Sequence, residues 1–316
     1  MACDIVMPVW NQLESTRDCV DSISRNTSFY RIIIIDNASE SRTRGFLDEL
    51  KKRDAPRLLV IRNEQNLGFV KAANQGIRLC EAPYICVLNN DTLVTRGWLE
   101  EMVSVLEKNP AVGLLNPSSN TLGQRPAGRE SIESYAQGLA VERGRFVELG
   151  SAIGFCMAAR REVIDRIGLF DEIYGMGNFE DTDLSRRAIN AGYICVRARG
   201  AYVWHEEGVS FTRSKEFNSA FARNRAIYES RWGKMKRILY KVSGRTVSSQ
   251  NEYGSMLQEA RAGNWVYIYA GRSAKLDGLP QHSNIVVKRF PDLFLSARVA
   301  FKILTKKKKF NEIREV

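Results

Sequence analysis

The chain has 316 residues, 44% of them hydrophobic and 26% charged, and a formal net charge of +11. That length suits one large domain, or a large one and a small one, with a full core, and the composition is that of a soluble globular protein. No apolar run approaches the roughly 18 residues of a membrane span and the first residues lack a basic-then-apolar leader, so the cytoplasm is the expected location.

Six cysteines, Cys3, Cys19, Cys80, Cys86, Cys156 and Cys195, lie far apart in apolar surroundings without a C-x-x-C pair. They read as reduced core residues rather than disulfides or zinc ligands. The charge is uneven: Lys and Arg are outnumbered 25 to 28 by Asp and Glu over residues 1–212, but outnumber them 22 to 8 over 213–316. A basic tail behind a near-neutral front suggests an attachment surface for something anionic, apart from the chemistry.

Residues 4–9 read as a first strand ending at Trp10-Asn11-Gln12, and Leu13 to Ile23 follow at helical spacing, which opens a βα unit. Arg31 to Ile35 form a second strand whose isoleucines imply burial on both faces. It ends in Asp36-Asn37-Ala38-Ser39, where a carboxylate can accept from a nucleobase imide or from ribose, or simply form the turn. Phe46 to Arg53 predict a helix and Leu58 to Arg62 a third strand. In Asn66 to Gly76 a glycine precedes an Ala-rich helix whose start offers free N–H groups, with Lys71 placed to neutralise a phosphate.

Tyr84 to Leu88 is a buried strand running straight into Asn89-Asn90-Asp91-Thr92. Asp91 therefore falls just past a carboxyl end, the edge where open α/β sheets bind ligands, and can hold a metal or a metal-bound phosphate. The alternative is an Asx turn capping the helix that starts near Gly97. Trp98 to Lys108 is the next helix and Val112 to Leu115 a further strand. The repeated strand–helix units indicate a doubly wound α/β sheet, mostly parallel, with helices on both faces.

Residues 118–148 are polar and read as an inserted lid with a hairpin over Gly138 to Leu149. Ile153 to Ala158 is strand-like, Arg160 to Gly168 a glycine-terminated helix, and a Gly-rich loop then delivers Phe179-Glu180-Asp181-Thr182-Asp183. Asp181 can cap the helix that follows; three acids in four residues also repel one another, raising a pKa as a proton acceptor requires. Two strands, Tyr193 to Val196 and Ala201 to Trp204, lead to His205-Glu206-Glu207-Gly208. His205 lacks the second histidine of a zinc-protease helix, but it can complete a cation site begun by Asp91.

Six blocks in order, Met7-Pro8-Val9-Trp10-Asn11, Ile35 to Ser39, Asn66 to Gly76, Leu88 to Thr92, residues 154–172 and Glu180 to Leu184, resemble family-two inverting glycosyltransferases of the GT-A fold, in particular the rhamnosyltransferase-like branch. The resemblance covers about residues 3–210. It implies a nucleotide-diphosphate sugar donor, rhamnose being the sugar of that branch, and Mg²⁺ or Mn²⁺ bridging its phosphates. Asp91 matches the last acid of the D-x-D element, with His205 of a Trp-His pair completing the metal site; Asn89 stands where relatives carry the first acid. Pro8, Val9, Asn11, Asp36, Asn66, Gly68, Lys71, Asn74, Asn89 and Asn90 match the nucleotide-sugar pocket. Asp181 matches the general base, and Glu180 and Trp204 the acceptor side. The implied acceptor is a saccharide or a lipid-linked saccharide.

The tail lies outside the resemblance. Lys215 to Tyr240 reads as one or two basic helices, Gly244 to Gln250 as a linker, Trp265 to Ala270 and Asn284 to Lys288 as strands, and Phe294 to Ile303 as an amphipathic helix running into Lys306 to Lys309. Such a helix suits the cytoplasmic face of an anionic membrane, or a subunit contact. The expected domains are 1–212, a basic helical segment 213–245, and a small α/β extension 246–316. The leading function is metal-dependent glycosyl transfer in polysaccharide or glycolipid assembly. A non-catalytic nucleotide-sugar-binding or scaffold protein is the alternative, encouraged by Asn89. Sugar-nucleotide formation would need a Gly-rich basic loop after the first strand, and nucleic-acid binding a recognisable motif; neither is present.

Overall fold

The computed structural model describes residues 3–54, 56–206, 215–242 and 250–316. Contacts divide the chain into two units, Met1–Phe146 with Ser151–Tyr228, and Val147–Gly150 with Glu229–Val316. The sequence reading set its boundaries after 212 and 245, whereas the contacts divide the chain between Tyr228 and Glu229 and assign four earlier residues to the second unit.

The elements up to that division are β1 (Cys3–Val9), α1 (Leu13–Asn26), β2 (Tyr30–Asp36), α2 (Ser41–Arg53), β3 (Leu58–Arg62), α3 (Gly68–Arg78), β4 (Tyr84–Leu88), β5 (Thr92–Val94), α4 (Trp98–Lys108), β6 (Val112–Ser118), α5 (Ile132–Gly138), β7 (Phe146–Leu149), β8 (Cys156–Arg160), α6 (Arg161–Ile167), α7 (Glu180–Asn190), β9 (Ile194–His205) and α8 (Lys215–Trp232). In the first unit the sheet runs β3-β2-β1-β4-β8-β6-β9-β5. β1 is hydrogen-bonded in parallel to β2 and β4 on its two sides, which is why its apolar run is continuous rather than alternating. β8 enters antiparallel between β4 and β6. β1, β2 and β4 therefore end at one edge, where Asn11, Asp36 and Asn89 to Asp91 emerge. β9 runs parallel to β6, and its last residues pair antiparallel with β5, setting His205 opposite Thr92 beside the end of β4.

Several expected elements differ. The hairpin over Gly138 to Leu149 is absent; Ser131 caps α5 by accepting from the Ser134 N–H at 3.1 Å, and a 3₁₀ turn at Leu139–Glu142 precedes β7. The two strands expected over 193–204 are one, because the pairing with β6 jumps from Ala198 to Tyr202 and the irregular residues between form a bulge. β8 begins at Cys156 rather than Ile153, since the Asn116 side chain takes up the Ile153 N–H and the Ile153 and Cys156 carbonyls and keeps 151–155 a loop.

In the second unit β10 (Arg237–Val242), β11 (Trp265–Gly271), β12 (Ile285–Phe290) and β13 (Glu312–Glu315) form a parallel sheet in the order β12-β11-β10-β13. The basic segment to Tyr240 is thus not all helix; α8 stops at Trp232 and a left-handed Gly233 (φ 81°) turns the chain toward β10. α9 (Gln250–Arg261) packs Met256 and Ala260 on one face of the sheet with Ile238, Val266 and Ile268. α10 (Leu295–Thr305) packs Val299 on the other with Leu239, Tyr267 and Tyr269. The expected linker lies outside the described residues, except Gln250, which opens α9. All six cysteines are free and buried, and burial pushes the Cys19 and Cys80 thiols up to about 12. Among the described residues no helix is long and apolar enough to cross a membrane.

Candidate active site

α7 starts abruptly. Asn178 and Phe179, immediately before it, are left-handed at φ 75° and 73°, a region that side chains with a Cβ adopt only under constraint. Asn224 of α8, fully buried, supplies that constraint by donating to the carbonyls of Tyr174 (2.8 Å), Gly177 (2.9 Å) and Asn178 (3.3 Å). The Phe179 ring lies 5.2 Å from Phe221 and 5.5 Å from Tyr228 on the same helix. Asp183 and Arg187 pin the other end of the loop: Asp183 accepts from Arg187 Nε at 2.9 Å, and the Arg187 guanidinium also donates to the carbonyls of Ile167 and Leu169.

This turn presents Glu180 and Asp181 to a cavity of about 420 Å³, which Asn89, Gly154, Phe155, Thr182 and His205 also line. Asp181 does not cap the helix. Its Oδ2 accepts from the Gly154 N–H at 3.0 Å, and its Oδ1 from the Thr182 N–H at 2.6 Å and hydroxyl at 3.1 Å. Burial raises the pKa of Asp181, against these donors, which favour its charged form. Glu180 is buried, its Oε2 has no partner, and burial followed by the Asp181 charge pushes it up to about 8. The two acids are thereby differentiated: the donors keep the shared negative charge on Asp181, and Glu180 holds the proton.

His205 lines the cavity; Asp91, which does not, is 6% exposed and its Oδ1 lies 3.1 Å from His205 Nε2. The pair is close, yet that oxygen has no hydrogen-bond partner. His205 is fixed from behind. Its Nδ1 is 3.0 Å from Thr121 Oγ1, its backbone N–H and carbonyl are both bonded to the Asn120 side chain, and its ring stacks on Phe155 at 5.1 Å. A buried carboxylate oxygen without a donor beside an imidazole nitrogen suits a shared cation. Among the described residues no group of three or more His, Cys, Asp or Glu side chains could cage a metal, so these two ligands would need phosphate or water oxygens to complete the shell. Gly154 and Phe155 join the two sides, the first bonded to Asp181 and the second stacked on His205.

Not every residue singled out in the sequence faces this cavity. Asp36 is fully buried, with Oδ1 accepting from the Ser39 N–H and Oδ2 paired with Arg62 at 3.0 Å, so its carboxylate already serves the turn. Asn11 is left-handed (φ 58°), donates its N–H to Ser39 Oγ and takes the Glu40 N–H on its side chain. Asn66 accepts from Asn37 and from the Gly68 N–H. Gly68 (φ 82°) leaves room for the loop before α7, since a Cβ there would stand 2.9 Å from Met176 Cα. Pro8 and Val9 end β1, Asn90 donates to Thr16, and Lys71 is exposed.

Two further candidates have other partners. Asn74 is a strut: 1% exposed, it donates to the Phe170 carbonyl and Glu172 and accepts from the Phe170 N–H. Trp204 pairs with Leu93 and is not among the residues lining the cavity, because neighbours along a strand point to opposite faces and His205 takes the inner one. Sequence reasoning missed Asn116, Asn120, Thr121, Gly154 and Asn224. Asn116, a polar residue in the apolar run of β6, carried the one signal available.

A family profile described as glycosyl transferase family 2 matches residues 4–168. The uncharacterized glycosyltransferase EpsJ of Bacillus subtilis is 25% identical over 66% of this chain and 62% of its own length. An uncharacterized protein of Sinorhizobium fredii is 24% identical over 72% of this chain, which spans only 27% of that relative. Among solved structures, GalNAc-T7 with UDP, GalNAc and Mn²⁺ superposes with a TM-score of 0.57 at 17% identity, over 73% of this chain and 50% of that one. The mannosyltransferase PcManGT of Pyrobaculum calidifontis, in complex with GDP-Man and Mn²⁺, gives 0.56 at 16% identity, over 72% and 63%. These likenesses establish the GT-A-like fold, and the profile spanning more than half of the sequence establishes the kinship: this chain belongs to glycosyl transferase family 2.

Proposed function

We propose that the chain transfers a hexosyl group from a nucleotide-diphosphate sugar to a hydroxyl of a saccharide or lipid-linked saccharide, by one displacement with inversion. The observation that carries this reading is that a differentiated acid pair and His205 line one cavity, linked through Gly154 and Phe155, with Asp91, itself outside the lining, 3.1 Å from His205 Nε2. The acceptor oxygen bonds to the anomeric carbon as the bond from that carbon to the diphosphate oxygen breaks, and the nucleoside diphosphate leaves. The acceptor's proton passes to Asp181, the anion of the pair, whose Oδ2 keeps a lone pair free of the Gly154 bond. Glu180, protonated, can donate to a second acceptor oxygen. Asp91 and His205 would hold Mg²⁺ or Mn²⁺, which when bound supplies charge neutralisation at the departing diphosphate. Asn89, which lines the cavity, would face the nucleotide. Rhamnose follows from the family resemblance.

A thermal-shift screen of nucleotide sugars with and without Mn²⁺ tests this. A ligand that binds only the folded chain raises its midpoint, and the expected outcome is a Mn²⁺-dependent rise with one nucleotide class that Asp91→Ala abolishes. With that donor, Asp181→Asn keeps the shift while transfer falls on the order of 10²–10⁴-fold. No shift with any nucleotide sugar would favour a scaffold, and equal loss of binding and transfer in Asp181→Asn would reduce Asp181 to a structural anchor.

A further inference from the structure

α10 is apolar on the face turned to its sheet and again on the face turned to solvent. Val299 is 4% exposed, with Leu295 and Ile303 beside it against the sheet. Phe294, Phe301 and Leu304 are 69%, 68% and 73% exposed, and Leu293 just before them is 70% exposed. At about 100° per residue, Phe301 and Leu304 fall on one stripe opposite Val299, and the exposed Phe294, left-handed at φ 60°, immediately precedes the helix. Large apolar side chains grouped in water on a helix whose other face is already packed mark a surface made to be covered.

Charge decides by what. Arg298, Lys302, Lys307, Lys308 and Lys309 are exposed on or just past the helix. Between Pro291 and Asn311 the one acid is Asp292, whose carboxylate is engaged by the Ser273 hydroxyl at 2.8 Å. Lys306 lies 3.8 Å from the centre of the Tyr267 ring and 4.5 Å from that of Phe310; burial, then the charges of Arg237, Lys288 and Lys302, draw its ammonium down to about 8. The patch is thus positively charged beyond what its own residues balance. A second copy would bring like charge against it, and a nucleic acid would leave the aromatic and leucine side chains in water.

We propose that this face of α10 is a docking surface for an anionic lipid bilayer, with Phe294, Phe301 and Leu304 entering the acyl boundary and the arginine and lysines meeting the headgroups. The inference stands apart from the reading of the cavity, and its test needs no substrate. The full chain is sedimented with phosphatidylcholine vesicles and with vesicles in which part of that lipid is replaced by phosphatidylglycerol. The expected result is binding about tenfold or more tighter to the anionic vesicles, weakening as salt is raised. Phe301→Ser with Leu304→Ser, and separately Lys307→Glu with Lys308→Glu, should each reduce it about tenfold or more. Leu304→Trp, which keeps the face apolar, should add a fluorescence component quenched by brominated acyl chains. Equal binding to both vesicle types, no binding to either, indifference to both paired variants, or an added indole signal in Leu304→Trp that brominated lipid leaves untouched would each overturn it.

Discussion

The acids of α7 divide their roles because of what each carboxylate touches. Asp181 has three donors and Glu180 Oε2 has none, so the same burial that raises both leaves the proton on Glu180. Its carboxyl moves from an ordinary 4.5 to about 8, so between those values the folded chain binds a proton that the unfolded chain has released. Stability from this group is therefore complete below the lower value and lost as pH rises through the upper one. Glu180→Gln, a neutral isostere, should match the parent near pH 5 and exceed it near pH 9 by on the order of a few kcal/mol in urea unfolding. A difference that does not grow with pH would show that Glu180 is already ionised in the fold. The motif's acids were visible in the sequence, but which one is the anion was not, because the Gly154 donor comes from a loop far away in the chain.

At the scale of elements, the site depends on a helix that the sequence presents as a solvated basic segment. α8 holds the strained turn before α7 through one buried side chain, and Asn224 is also where the Arg223 guanidinium donates, at 3.1 and 2.9 Å. Asn224→Ala should lower stability by about 2–3 kcal/mol, the cost of leaving buried carbonyls and a cation unmatched, and speed amide exchange in residues 174–180. Unchanged exchange there would mean that the turn is held by other contacts. The β9 bulge was likewise hidden. Arg197, Arg199 and Gly200 read as a break between two strands, whereas the backbone continues through them and delivers His205 to the end of β4.

For the whole molecule, the cysteine reading makes a simple test: the thiol reagent DTNB should leave all six cysteines nearly untouched in the native chain and titrate all six in denaturant, since each is buried and none is in a disulfide. A fast-reacting thiol in the native state would point to local opening at its strand. The sequence by itself determined β1 to β4, the mostly parallel α/β class and the edge at which Asn11, Asp36 and Asp91 emerge. Strands buried on both faces are continuous apolar runs, and a carboxyl end follows directly from where such a run stops. It also carried the acid pair of α7 and the strand-end histidine, which are local motifs. Only the tertiary structure decided that Asp91 and His205 lie 3.1 Å apart, that Asn74 is a strut, that Trp204 turns away, and that Asn120, Thr121 and Asn224 hold the site's walls. Those outcomes rest on hydrogen bonds between residues remote in sequence and on strand register, and neither leaves a periodic trace along the chain.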